Sequence, residues 1–139
     1  YDGDGRTDPA VFRPSNGRWY ARASGGTPDL SIGFGLGTDM PVPGDYDGDG
    51  MSDPAVFRPS NGRWYARTAT AGDTSIGFGL ASDIPVPGDY DGDGVTDLAA
   101  FRPAAGRWYV RGGATTQFGA LSDIPVPTPA HHVVALSAT

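Results

Sequence analysis

Fifteen consecutive residues of this 139-residue chain occur twice. Asp8 to Arg22 reads DPAVFRPSNGRWYAR, Asp53 to Arg67 repeats it letter for letter, and Asp97 to Arg111 gives the looser copy DLAAFRPAAGRWYVR. The copies begin 45 and then 44 residues apart. A second block follows each of them: SIGFGLGTDMPVPG from Ser31, SIGFGLASDIPVPG from Ser75, and the reduced QFGALSDIPVPT from Gln117. Identity over this length is not chance; it means recent duplication or a designed repeat scaffold. A unit of this size is one supersecondary motif that cannot bury both faces alone, so the copies must stack.

Within a copy the hydrophobic period is 2. Ala55 and Phe57 fall on one face, Val56 and Arg58 on the other. Ser60-Asn61-Gly62 then reads as a hairpin turn, Asn-Gly being a strong signal for one. Beyond it Trp64 and Ala66 alternate with Tyr65. A turn around Ala71-Gly72-Asp73 leads to Ser75–Leu80, which puts Ile76, Phe78 and Leu80 on one face, with Gly77 and Gly79 leaving room for a neighbouring backbone. The extended piece Ile84–Gly88 completes the unit. With 22 Gly and 13 Pro there is almost no uninterrupted stretch of helix length. Four short antiparallel strands at this period match a propeller blade. The expected fold is all-β: a β-propeller sector of three four-stranded antiparallel blades, forming one repeat domain over residues 1–139. Blade 1 spans about 1–40, blade 2 about 41–84 and blade 3 about 85–123, with a closing or terminal strand in 124–139.

Each blade carries an Asp/Gly loop. The chain has no Glu, no Lys and a formal charge of −6, and eleven of its sixteen Asp lie in three such loops. Asp45, Asp47, Asp49 and Asp53 occupy positions 1, 3, 5 and 9 of one loop; Asp89, Asp91, Asp93 and Asp97 do so in the next. Position 7 offers a backbone carbonyl from Met51 or Val95, and Gly at position 6 permits the sharp turn around an ion. An oxygen-only shell suits Ca²⁺ rather than Zn²⁺ or copper, and Mg²⁺ keeps its waters. The first loop starts at Tyr1 and lacks position 1; Asp2, Asp4, Asp8 and the Arg6 carbonyl remain, for weaker binding. The competing reading, plain polar turns, does not explain three copies at fixed spacing. The pattern resembles the first half of an EF-hand loop, but Val56 and Ala100 stand where its position 12 Glu would be, and a strand follows at once.

The segments DYDGDGMSD, AVFRPSNGRWY, and GFGL followed by PVPGDYDGDG resemble the FG-GAP/VCBS repeats of bacterial secreted proteins, related to the blades of integrin α-subunit propellers. The resemblance covers nearly everything from Tyr1 to Pro127. It implies an Asp loop between the first two strands of each blade, Ca²⁺ held by the aspartates of the second and third loops, and an extracellular setting. The family's rings have about seven blades. Three repeats fall short of that, and Thr128-Pro129-Ala130 replaces a further loop after Pro127.

Other recurrent residues have competing readings. Trp19, Trp64 and Trp108, each followed by Tyr, would be sugar-stacking platforms if exposed, or packing between blades if buried. Arg13, Arg58 and Arg102 suit structural pairing with Asp or loop carbonyls better than a ligand-binding ring. His131-His132 fit a terminal strand with Val133, Val134 and Leu136 better than a metal site. No catalytic constellation emerges, since Cys is absent, the only histidines are adjacent and the repeated Asp are committed to metal. The acidic balance argues against nucleic acid, and no apolar run approaches the roughly 20 residues of a membrane span. The expected function is a non-catalytic secreted calcium-binding module that presents loops to a glycan or protein. A spacer or accessory domain of a larger secreted hydrolase or adhesin is the alternative. The partner is expected to be a second copy, giving a homodimeric six-bladed ring, or the missing blades of a longer chain.

Overall fold

A computed structural model describes residues 8–22 and 29–126. The described residues contain no helix and form three antiparallel sheets. In the second and third, three strands of one repeat are joined by the Pro-bearing segment of the repeat before, so Ile84 and Pro85 lead the third sheet instead of completing the second. The first holds β1 (Ala10–Arg13), β2 (Arg18–Ala21) and β3 (Leu30–Gly33), in that order. The second runs β4 (Met40–Pro41), β5 (Ala55–Arg58), β6 (Arg63–Thr68) and β7 (Gly72–Gly77). The third runs β8 (Ile84–Pro85), β9 (Ala99–Arg102), β10 (Arg107–Val110) and β11 (Thr115–Gln117). This is the meander of a propeller blade, with a two-residue Pro-bearing strand leading each four-stranded sheet.

The turns follow from side-chain chemistry more than from dipeptide rules. Arg58 pairs with Arg63 across β5 and β6, so the loop between them is four residues long, not the two-residue turn that Asn-Gly suggests. A two-residue type I′ turn needs positive φ at both central residues. Here only Gly62 has it, at 66°, while Asn61 holds the turn through its side chain. Its Oδ1 accepts the Arg63 N–H at 3.0 Å, and its Nδ2 donates to the Tyr65 hydroxyl at 2.9 Å. The next strand also starts earlier than its hydrophobic alternation suggests. Thr68 pairs with Gly72, and the Thr68 hydroxyl bonds both the Gly72 carbonyl and the Ala71 amide, so the turn closes before Gly72. Ile76 and Phe78 pack on the core as expected, but Leu80 lies beyond the strand and is 53% exposed.

The sheets pack face to face, and β5 is buried on both sides between its neighbours. β9 meets the second sheet on one face only; on the other, Ala99 and Phe101 are covered by Ile84, Val86, Trp108 and Val110 of their own sheet and its connector. Ala55, Phe57, Trp64 and Ala66 of the second sheet share a core with Leu98, which precedes β9 of the third. On the opposite face Val56 meets the first sheet's connector: a Cβ added to Gly35 would lie 3.0 Å from Val56 Cγ1. Burying side chains such as Phe57 and Phe101 contributes about 1.5–3 kcal/mol each. Arg67 adds a polar tie, donating to the Gly33 carbonyl at 3.3 Å and lying over the Phe34 ring.

The expected closing strand, Ile124 to Pro127, forms no ladder within its described part. Among the described residues no strand pairs with 124–126, and Ile124 and Val126 are exposed. Pro127 and the terminal strand expected around His131 and His132 lie outside the described residues.

Candidate metal centre

The second and third Asp loops fold alike, each around its first aspartate. Asp45 Oδ1 accepts the N–H groups of Gly48 at 2.8 Å and Asp49 at 3.1 Å, and Oδ2 accepts that of Gly50 at 2.8 Å. Asp89 takes Gly92, Asp93 and Gly94 in the same way. Wrapping the chain this tightly requires φ of 77° at Gly48 and 86° at Gly50, and 78° and 84° at Gly92 and Gly94. Only glycine adopts such values without strain. The last aspartate anchors the loop to the sheet. Asp53 is buried, its amide donates to the Gly44 carbonyl at 2.7 Å, and its carboxylate accepts the Tyr46 amide at 2.9 Å.

This folding brings carboxylates together. Asp45, Asp47 and Asp53 each offer an oxygen within 4.8 Å of the others, as do Asp89, Asp91 and Asp97. Asp49 and Asp93 stand outside these groups, each capping the amide of the carbonyl candidate two residues on, Met51 or Val95, at 2.9 Å. Of the first loop, Asp8 is buried in the place that Asp53 takes in the second; Asp2, Asp4 and Arg6 lie outside the described residues. The crowding has an electrostatic cost. Burial pushes the Asp53 carboxyl up, and the charges of Asp47, Asp49 and Asp45 add to it against the Tyr46 N–H, taking it to about 7. A bound cation removes that repulsion. The all-oxygen donor set and the clustered negative charge both fit Ca²⁺.

Neighbouring loops are joined. Thr96, in the third loop, accepts the Asp45 amide on its hydroxyl at 2.8 Å and donates its own amide to the Asp45 carbonyl at 2.7 Å. Asp47 also accepts the Thr70 amide and hydroxyl from the turn between β6 and β7.

The repeated aromatics and arginines are mainly structural. Trp19 and Trp64 are buried, and Trp108 is half-buried. Each indole N–H donates to a backbone carbonyl, of Phe34, Phe78 and Phe118 respectively, and each ring tilts against the preceding strand's Phe at 5.3–5.5 Å. Arg58 grips Asp39 with two hydrogen bonds of 2.8 Å while its guanidinium lies 4.5 Å from the Tyr65 ring centroid. Arg102 repeats this with Asp83 and Tyr109. The sequence points to structural pairing of Arg58 and Arg102 with an Asp or loop carbonyls; the structure shows the Asp pairing and supplies the partners, Asp39 and Asp83. The available signal was Asp followed by Met-Pro or Ile-Pro, nineteen residues before each arginine.

A cleft of about 460 Å³ opens between the second and third sheets beside the second loop, with Tyr65, Thr70, Thr74, Thr96 and Arg111 on its walls. Residues 84–122, which contain the whole third sheet, match the family model of the FG-GAP repeat. No curated protein and no solved structure matches the chain.

Proposed function

We propose that this chain, a β-propeller repeat module carrying an FG-GAP repeat, is a non-catalytic calcium-binding part of a secreted protein. The observation behind the reading is one carboxylate cluster appearing twice in the same place, at Asp45, Asp47 and Asp53 and at Asp89, Asp91 and Asp97. These residues would hold the ion, with Asp49 and Asp93 close by in the same turns. Calcium supplies charge neutralisation and stiffness there, not chemistry on a substrate. The residues themselves fix the loop to the sheet through Asp53 and to the next loop through Thr96. Modest affinity is enough outside the cell, where extracellular modules bind calcium at about 10⁻⁴–10⁻³ M. Calorimetric titration with CaCl₂ tests the reading. Asp47→Ala and Asp91→Ala should each remove one site and leave the other; an absence of calcium uptake by the unaltered chain overturns it.

The ligand proposed for the module is a glycan or a protein segment, with the cleft beside the second loop as its seat. A second reading, a spacer without a ligand of its own, draws support from the burial of Trp19 and Trp64, which takes the obvious sugar platforms off the surface. A glycan array run with calcium and with EDTA separates the two. Calcium-dependent binding weakened by Arg111→Ala supports the cleft, and silence across the array favours the spacer.

A further inference from the structure

The connector that leaves each sheet folds the same way three times, but among the described residues only two copies are seated. After the first sheet, Asp39 accepts the Leu36 amide and grips Arg58, Met40 pairs with Phe57, Pro41 pairs with Val56, and the Val42 amide donates to the Ala55 carbonyl. After the second, Asp83 accepts the Leu80 amide and grips Arg102, Ile84 pairs with Phe101, Pro85 pairs with Ala100, and the Val86 amide donates to the Ala99 carbonyl. After the third, Asp123 accepts the Ala120 amide at 2.8 Å, so the connector is already shaped. Nothing among the described residues receives it: Val126 is 81% exposed, whereas Val42 and Val86 are 3% exposed.

The first sheet presents the matching vacancy. β1 carries the same AVFR sequence as β5, but no strand of the described residues lies on its outer edge. Val11 is 56% exposed where Val56 is fully covered. Arg13 lies over the Tyr20 ring as Arg58 lies over Tyr65, but among the described residues no carboxylate pairs with it. One end of the molecule thus offers a preformed acidic and apolar plug. The other offers a strand edge with an arginine at the complementary position.

We propose that this chain associates head to tail with a second copy, the connector of one seating on β1 of the other. The two internal junctions fix the register: Ile124 opposite Phe12, Pro125 opposite Val11, and Asp123 gripping Arg13. Made reciprocally, the contact closes two copies into one ring of six sheets, within the range of about four to eight blades that propellers use. The inference does not depend on the metal reading, since none of these contacts involves an Asp loop.

Sedimentation equilibrium on the 139-residue chain in CaCl₂ tests this, with circular dichroism as a separate check of the fold. The expected result is a concentration-dependent mass of two chains. Asp123→Arg and Arg13→Asp should each weaken the dimer by about 30-fold or more, the loss expected when one member of a buried interfacial pair is removed. The double exchange should recover most of that loss. A folded monomer over the whole micromolar range, single exchanges without effect, or a double exchange no better than either single one would overturn the proposal.

Discussion

Asp39 has no exposed side-chain surface, and Arg58 beside it is mostly covered, so their hydrogen bonds form in a medium where losing one partner is costly. Burial pushes the Asp39 carboxyl up, but Arg58 and the Leu36 amide outweigh it and hold the group below its ordinary value near 4. A carboxyl more acidic when folded binds fewer protons than in the unfolded chain. Its stabilisation is therefore complete above the ordinary carboxylate range and is lost as pH falls through the lower folded value. Asp39→Asn should cost about 2–3 kcal/mol at pH 7 in urea unfolding, and the gap from the unaltered protein should narrow below about pH 4. Glycines give a second, graded test. An alanine Cβ at Gly17 would meet the Gly35 carbonyl oxygen at 2.6 Å and one at Gly62 the Gly79 oxygen at 3.0 Å, while at Gly50 it would meet nothing within 4 Å. All three residues have positive φ. Thermal unfolding should rank Gly17→Ala as most damaging, at about 2–3 kcal/mol, and Gly50→Ala as least, at about 1 kcal/mol. The arginines announced a structural role in sequence because each stands in every copy beside Phe and Pro. Their carboxylate partners did not, because an Asp before Ile-Pro looks like any turn residue until the fold lays it against the guanidinium.

The loops and strands behave as elements whose ends matter more than their middles. The clusters Asp45–Asp47–Asp53 and Asp89–Asp91–Asp97 were legible from spacing alone, since a Gly-rich turn of fixed length brings its first, third and ninth residues together. Asp49 and Asp93 share that spacing but are drawn off to cap the amides that follow, a competition between side chain and backbone that spacing does not reveal. The start of β7 was misplaced for a similar reason: Thr68 closes the turn early, and Asp73 is held in the strand by Arg67. The link through Thr96 leads to a prediction across elements. Thr96→Val removes the acceptor of the Asp45 amide while keeping the shape. It should destabilise the protein by about 1–3 kcal/mol and weaken calcium at the second loop more than at the third, in which the residue itself lies. Calorimetric titration alongside Asp91→Ala, which isolates the second loop, measures that difference.

At the scale of the whole molecule, the repeat made the blades legible and the stacking followed from the need to cover a meander's faces, a need the exposed Val11 of the first sheet illustrates. Which residues interlock between sheets was not legible, since Gly35 over Val56 and Leu98 in the neighbouring core are meetings of distant segments. Calcium should act on this assembly as a ligand of the folded state. At 100 times Kd each site adds about 2.7 kcal/mol, so the melting midpoint in CaCl₂ should stand well above that in EDTA; coincident midpoints would sink the metal reading. The two letter-identical hairpins, Asp8–Arg22 and Asp53–Arg67, have a use of their own. Within each, the chemistry that sets intrinsic amide exchange is the same, but Val11 stands in the open and Val56 lies under a neighbouring sheet. The molecule therefore contains its own matched control. The ratio of exchange rates between the twins reads out tertiary cover with local sequence cancelled, and it should fall toward unity whenever something settles on the first sheet.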